Sequence, residues 1–381
     1  MPFDMSLVQR GARLRRTPFF EATQRHGAKA YTVYNHMLFP IRYADLEEEY
    51  WHLVNHVTLW DVSVERQVEI TGPDAFAFTN LLTPRDLSRC AVGQGKYVAI
   101  TAEDGGIIND PVLLRLGENH FWLALADSDV LLWARGVALK AGLRVTITEP
   151  DVSPVQVQGP KAKEVVGSLF GAAPLALKYY WFLETSLDGI PVVVTRTGWS
   201  AEVGYEIYLR DGSRGDELWE RIMEAGKPHQ IRPTGPSDIR RIEGGILNWG
   251  ADLTLDDNVY QAGLDWLVDE DKSADYIGKD ALRRIKAAGI TRKLVGVEIE
   301  GDRIEFNETK WPVRRGPEQV GRVTSAIWSP RLKKNIGYAM VPIGAAVNGT
   351  RLVAEIPGSG ERQVMVVPKP FVDPKKEIPK S

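Results

Sequence analysis

The 381-residue chain has a single cysteine, Cys90, and only six histidines and six methionines. One cysteine cannot close an intramolecular disulfide, which fits a reducing compartment and makes a cytoplasmic location the expectation. A catalytic thiol usually needs a histidine partner, which the sequence does not show, so Cys90 reads as filler in a small-residue turn. No apolar run is long enough to span a bilayer. The basic opening MPFDMSLVQRGARLRR lacks the apolar stretch of a secretory signal. An excess of one charge sign is missing too: 47 Lys and Arg stand against 50 Asp and Glu, net −3. That balance gives no reason to expect a nucleic-acid or membrane partner. G-x-G-x-x-G, the P-loop and G-x-S-x-G are all absent, which removes support for ordinary nicotinamide dehydrogenases, kinases and α/β-hydrolases. His52 and His56 stand four apart in HLVNH, but Leu53 occupies the place of the metalloprotease glutamate, so no metal site is expected.

What remains has an ordinary globular composition, 44% hydrophobic and 25% charged. The length exceeds one core and predicts roughly two or three domains. A strand–turn–helix unit occurs twice, as RQVEITGPDAFAFTNLL at 66–82 and PVQVQGPKAKEVVGSLF at 154–170. In each copy an alternating strand runs into Gly-Pro and an amphipathic helix, with proline in the first turn where its missing N–H is not needed. The repeat predicts two related α+β subdomains with antiparallel sheets, unless Gly-Pro before a helix recurs here by chance. Between the copies, apolar strands flank Glu103-Asp104-Gly105-Gly106, a hairpin signal. Helices are expected at 128–141, 215–225, 237–247 and 279–288. From Arg292 onward, KLVGVEI, VGRVTSAIW, IGYAMV, TRLVAEI and RQVMVV predict a small all-β barrel. The expected division is a body at 1–285, a barrel at 286–370 and a disordered, polar, proline-rich tail at 371–381.

Three places invite chemistry. Asn109-Asp110 interrupts an apolar strand ahead of Pro111, a pattern of edges and bulges that aim side chains into sites. The alternative is a strand end bonded to its own turn. In Gly204–Leu209, alternation puts Glu206 and Tyr208 on one face, with Trp199 in the preceding loop; the alternative is a solvent-facing polar side. In Ser237–Glu243, Ser237 or Asp238 suits a helix cap, and Arg240 and Arg241 point about 100° apart, so one at most faces a given pocket. Otherwise both are surface arginines.

Seven segments, LWDVSVERQVEITGPDA, GGIINDP, RTGWSAEVGYEIYL, RRIEGGILNWGADL, YQAGLDWLV, YIGKDAL and GRVTSAIWSP, occur in one order. Together they resemble the glycine-cleavage T-protein (aminomethyltransferase) superfamily over about Arg16 to Val366. Within it, LRRTPF, WDVSVERQ, TGWS and EPDVSP are most similar to the bacterial dimethylsulfoniopropionate demethylases. The resemblance implies an α+β fold, with a folate-binding body of two related antiparallel-sheet subdomains and a C-terminal small β-barrel. It implies transfer of a methyl group from a small donor, the sulfonium dimethylsulfoniopropionate first, to N5 of tetrahydrofolate. Another methylated amine or ether, T-protein-type aminomethyl transfer and a non-catalytic folate-binding regulator are the alternatives. Regulatory relatives carry a Lys-Gly-Cys-Tyr motif, and Ser273–Lys279 here holds no cysteine. By resemblance Asp110 is catalytic. Glu206, Tyr97, Asn109 and Arg241 bind the folate. Trp199, Tyr208, Tyr31 and Tyr34 bind the donor. Ser237 stands where the T-protein has an arginine. The expected partners are the donor and tetrahydrofolate, with a homodimer left open.

Overall fold

In both repeat copies an alternating strand ends on a glycine that no other residue can replace without strain. A computed structural model describes residues 11–381. The first copy gives strand Gln67–Thr71 and helix Ala75–Leu81; the second gives strand Ser153–Gln158 and helix Ala162–Phe170. The glycine between them, Gly72 or Gly159, has φ of +115° or +124°. A Cβ there would lie 2.6 Å from the Arg144 carbonyl oxygen or 2.5 Å from that of His56. Each repeat therefore turns where its backbone passes tightly against another segment.

The two strands belong to different sheets. The first joins a five-stranded antiparallel sheet ordered Thr146–Thr148, Gln67–Thr71, His120–Ala124, Val112–Gly117, Gln94–Tyr97. The second joins a six-stranded sheet ordered Phe182–Leu187, Ile190–Thr195, Gly204–Leu209, Ser153–Gln158, Thr58–Asp61, Arg232–Pro233. Only the short Arg232–Pro233 pairing there is parallel. On one face of the six-stranded sheet Val157, Tyr205 and Ile207 pack with Leu218 and Trp219 of helix Gly215–Gly226. A separate cluster of Leu114, Trp122, Val193 and Tyr208 joins residues of both sheets. That leaves polar side chains from both sheets facing a shared interior.

The C-terminal strands close into a six-stranded barrel, and the molecule is an α+β protein. The barrel includes Trp311–Arg315, a strand not among those expected from the sequence. Pairing with Glu318–Ser329 survives through a register shift at Val313/Arg314. The helix expected at 237–247 is shorter, Asp238–Glu243. It stops at Gly244, the next residue Gly245 leaving the helical region at φ +73°; a Cβ added to Gly244 would lie 2.3 Å from that of Ala201. The tail at 371–381, expected to be disordered, is packed. The Phe371 and Val372 amides donate to the Glu243 carbonyl at 2.9 Å, and Phe371 stacks on Tyr338. Ile378–Lys380 forms a 3₁₀ turn, and Ser381 O accepts from Arg196 Nη2 at 2.6 Å. Polar composition predicted disorder because the partners lie far away in sequence. Among the described residues, no helix is long and apolar enough to cross a membrane.

Candidate functional site

Strand Gly204–Leu209 sorts its side chains as alternation requires. Tyr205, Ile207 and Leu209 enter an apolar core, while Glu206 and Tyr208 face the other way. Glu206 is 4% exposed. Its carboxylate accepts from Gln156 Nε2 at 2.7 Å, Thr197 Oγ1 at 2.6 Å and Tyr208 OH at 2.9 Å. Burial raises its pKa above the ordinary value, and these donors oppose the shift without cancelling it. A carboxylate offers about four acceptor positions, so little capacity remains unless a hydroxyl rotates away.

Asp110 follows the Gly-Gly hairpin, whose strands are Ile100–Thr101 and Ile107–Asn109. It is half-buried, and Oδ2 accepts from Tyr97 OH at 2.7 Å. Burial pushes its carboxyl up to about 7, against the lowering effect of Tyr97. Burial and the Asp110 charge in turn hold the Tyr97 phenol well above its usual range, so it stays a proton donor. Arg85 fixes Tyr97 from behind: Nη1 donates to its carbonyl at 2.9 Å, and the guanidinium lies over Trp266. The Trp266 ring is 5.9 Å from that of Tyr97. Buried Lys272 holds the supporting loop by donating to the carbonyls of Asn80, Thr83 and Arg85. Burial lowers its ammonium pKa to about 8. The sequence singled out neither Arg85 nor Lys272, since neither sits in a pattern that announces its partner.

A third carboxylate, Glu65, completes the interior. Burial and the charges of Glu206 and Asp110 raise its pKa well above the ordinary value. Two concavities elsewhere, of about 460 and 730 Å³, include neither Asp110 nor Glu206. A flat heterocycle rich in N–H groups suits this interior, which combines carboxylate acceptors with aromatic faces. His52 and His56 are stacked on each other, and His52 Nε2 lies 2.7 Å from the Gln230 carbonyl.

The chain matches the GCVT N-terminal domain over residues 19–272 and the glycine cleavage T-protein C-terminal barrel domain over 292–373. It is 39% identical to the dimethylsulfoniopropionate demethylase DmdA of Ruegeria pomeroyi, over 95% of this chain and 98% of that protein. The protein belongs to the glycine cleavage T-protein family. That is a family of folate-dependent transferases. An aminomethyltransferase of Bacillus cytotoxicus is 32% identical, over 94% of this chain and 98% of its own. The crystal structure of glycine cleavage system aminomethyltransferase T from Bartonella henselae shares the fold, with a TM-score of 0.84 at 24% identity. That match covers 94% of this chain and 98% of that one.

Within this T-protein fold, several residues expected at the ligands do something else. Asn109 is fully buried, and its amide binds Ala126 N and O and Ser128 Oγ at 2.7–3.1 Å. These bonds tie the strand before Asp110 to the Ala126–Ser128 loop. Arg241 is fully buried, bonded to Asp238 at 2.6 Å, Asp252 at 2.9 Å and Ser325 at 3.0 Å. It ties the body to the barrel, and Trp199 lies over its guanidinium at 5.5 Å. Arg240 is equally buried, against Glu202 at 2.6 Å, so neither arginine is on the surface. Tyr208 has no exposed area, and its hydroxyl donates to Glu206. Tyr31 bonds Thr23 at 2.9 Å and packs on Phe20, away from Asp110. Tyr34 ends strand Ala30–Tyr34, and burial, helped by the charges of Glu65 and Asp110, holds its phenol above its usual range. Ser237 caps helix Asp238–Glu243 through the Arg240 amide.

Proposed function

We propose that this protein is a tetrahydrofolate-dependent demethylase that takes a methyl group from dimethylsulfoniopropionate or a close sulfonium relative. The observation that carries this reading is the Tyr97–Asp110 pair in an interior shared with Glu206, on a chain 39% identical to a dimethylsulfoniopropionate demethylase and 32% to aminomethyltransferases.

Bound tetrahydrofolate supplies a nucleophilic N5 that becomes methylated, giving 5-methyltetrahydrofolate. A sulfonium donor leaves as a neutral thioether: the C–S bond pair goes to sulfur, and no acid is needed at the leaving group. The chain's task is alignment, charge stabilisation and removal of one proton. Asp110 suits the last two. Its pKa of about 7 lets its carboxylate oppose positive charge and then take the proton from N5. Tyr97 orients Asp110 by donating to one oxygen, which leaves the other available. Glu206 offers its remaining acceptor capacity to heterocycle N–H groups, with Thr197 and Gln156 holding it in place. Partly exposed Trp199, Tyr179 and Tyr180 provide aromatic faces, which suit a cationic donor.

The test is incubation of purified protein with tetrahydrofolate and a panel of sulfonium, ammonium and ether donors, following 5-methyltetrahydrofolate by mass spectrometry. Product is expected with the sulfonium. Folded protein that binds tetrahydrofolate but methylates it from none of them would refute the reading.

A further inference from the structure

Two buried asparagines knit three distant segments together beside Asp110. Asn35, 3% exposed and at φ +47°, sits between strands Ala30–Tyr34 and Met37–Arg42. Its Nδ2 donates to the carbonyls of Val64 at 2.9 Å and Ala126 at 3.2 Å. Its Oδ1 accepts from Ser128 N at 3.1 Å, and its own N–H reaches Asp127 at 2.8 Å. Asn109 grips the same Ala126–Ser128 loop from the other side. Val64 and Asn109 are thereby fixed around one loop. Each is followed in sequence by a carboxylate, Glu65 or Asp110, and Asn35 is preceded by Tyr34.

Glu65 has neither a side-chain hydrogen bond nor an ion pair among the described residues. Four arginines of the body are committed to other partners. Arg66 reaches Glu149 at 2.5 Å, Arg85 holds the Tyr97 carbonyl, Arg196 holds the Gly204 carbonyl at 2.9 Å, and Arg241 holds Asp252. Glu65 is half-buried, so solvent reaches part of it. Tyr34 and Tyr208 both lie within range of its charge. A part-buried carboxylate with no hydrogen bond or ion pair from the described residues, on a segment clasped to the same loop as the Asp110 strand, is complementary to a positive group brought by a ligand.

We propose that Glu65 is a specificity residue that recognises the positive charge of the methyl donor, held in place by the Asn35 clasp. This rests on the demethylase reading and names the feature of the donor that is read. A neutral centre of the same shape leaves Glu65 uncompensated, so the site discriminates by charge as well as by size.

The experiment measures calorimetric affinity for dimethylsulfoniopropionate and for its carbon isostere, with CH in place of S⁺, in wild type, Glu65→Gln and Glu65→Asp. Tetrahydrofolate affinity is measured alongside as a check on folding. In Glu65→Gln the preference for the cation should shrink on the order of tenfold or more, with tetrahydrofolate affinity unchanged. Glu65→Asp should keep most of the preference. An undiminished preference in Glu65→Gln, or loss of tetrahydrofolate affinity in place of it, would overturn the proposal. Wild-type protein that binds tetrahydrofolate but neither compound would refute the demethylase reading itself, and this proposal with it.

Discussion

Asp110 sits at the junction of two opposing effects. Burial favours its neutral form, the Tyr97 hydroxyl favours its charge, and burial dominates, leaving the group near pH 7. Two consequences are measurable. A carboxyl raised in the folded state holds its proton to higher pH than the unfolded chain does. Stability from this group therefore falls as pH rises from the ordinary carboxyl range to about 7, and levels off above. Activity runs the opposite way, because the carboxylate is the form that accepts a proton. Single-turnover methyl transfer should rise with pH around a midpoint near 7. Asp110→Asn should bind tetrahydrofolate normally, lose activity on the order of a hundredfold and lose that pH dependence. A variant that keeps both the wild-type rate and its pH profile would remove Asp110 from the chemistry. Asp110 was legible in sequence as a charge in an apolar strand. Glu65 was not, because nothing local to VSVERQ reveals which carboxylates approach it through space.

At the level of elements, the repeated strand–glycine–helix unit shows local pattern and tertiary contact agreeing. Alternation predicts the strand, Gly-Pro predicts the turn, and the close carbonyls of Arg144 and His56 explain why the turn must be glycine. Gly159→Ala forces a Cβ to within 2.5 Å of the His56 oxygen at φ +124°. It should lower unfolding free energy by about 1–3 kcal/mol, read from urea denaturation; no change would mean that the segment Leu53–Val57 yields freely. Helix Asp238–Glu243 shows pattern failing. Its apolar spacing continues past Gly244, but the backbone turns to φ +73° at Gly245 and ends it. Strand Trp311–Arg315 is the opposite case, a strand that pattern did not announce and that pairs with Glu318–Ser329 through a register shift at Val313/Arg314.

Across the whole molecule, one buried polar network joins body to barrel. Asp252 accepts from Arg241 at 2.9 Å and from Thr324 and Ser325 at 2.7 Å, and Tyr338 OH reaches the Ile242 carbonyl at 2.9 Å. Ile239 and Ile242 pack beside it against Ile327 and Ile336. Arg241→Met removes the cation and leaves Asp252 charged in an apolar setting. A loss of about 3–5 kcal/mol is expected, seen as earlier urea unfolding and faster proteolysis between body and barrel. Stability equal to wild type would show that Asp252 does not depend on the Arg241 charge.

The sequence by itself determined the fold class, the repeat, the barrel and the positions of Asp110 and Glu206. Those follow from hydrophobic period, turn chemistry and motif order, all carried within short stretches of chain. Tertiary structure decided which polar residues are free for ligands. Asn109, Arg241 and Tyr208 look like ligand groups in sequence but are consumed by partners 17, 84 and two residues away. Glu65 looks ordinary in sequence and is left without one. A hydrogen bond or a burial cost depends on neighbours in space, and for Asn109 and Arg241 decisive neighbours come from other segments. Period and motif do not encode them.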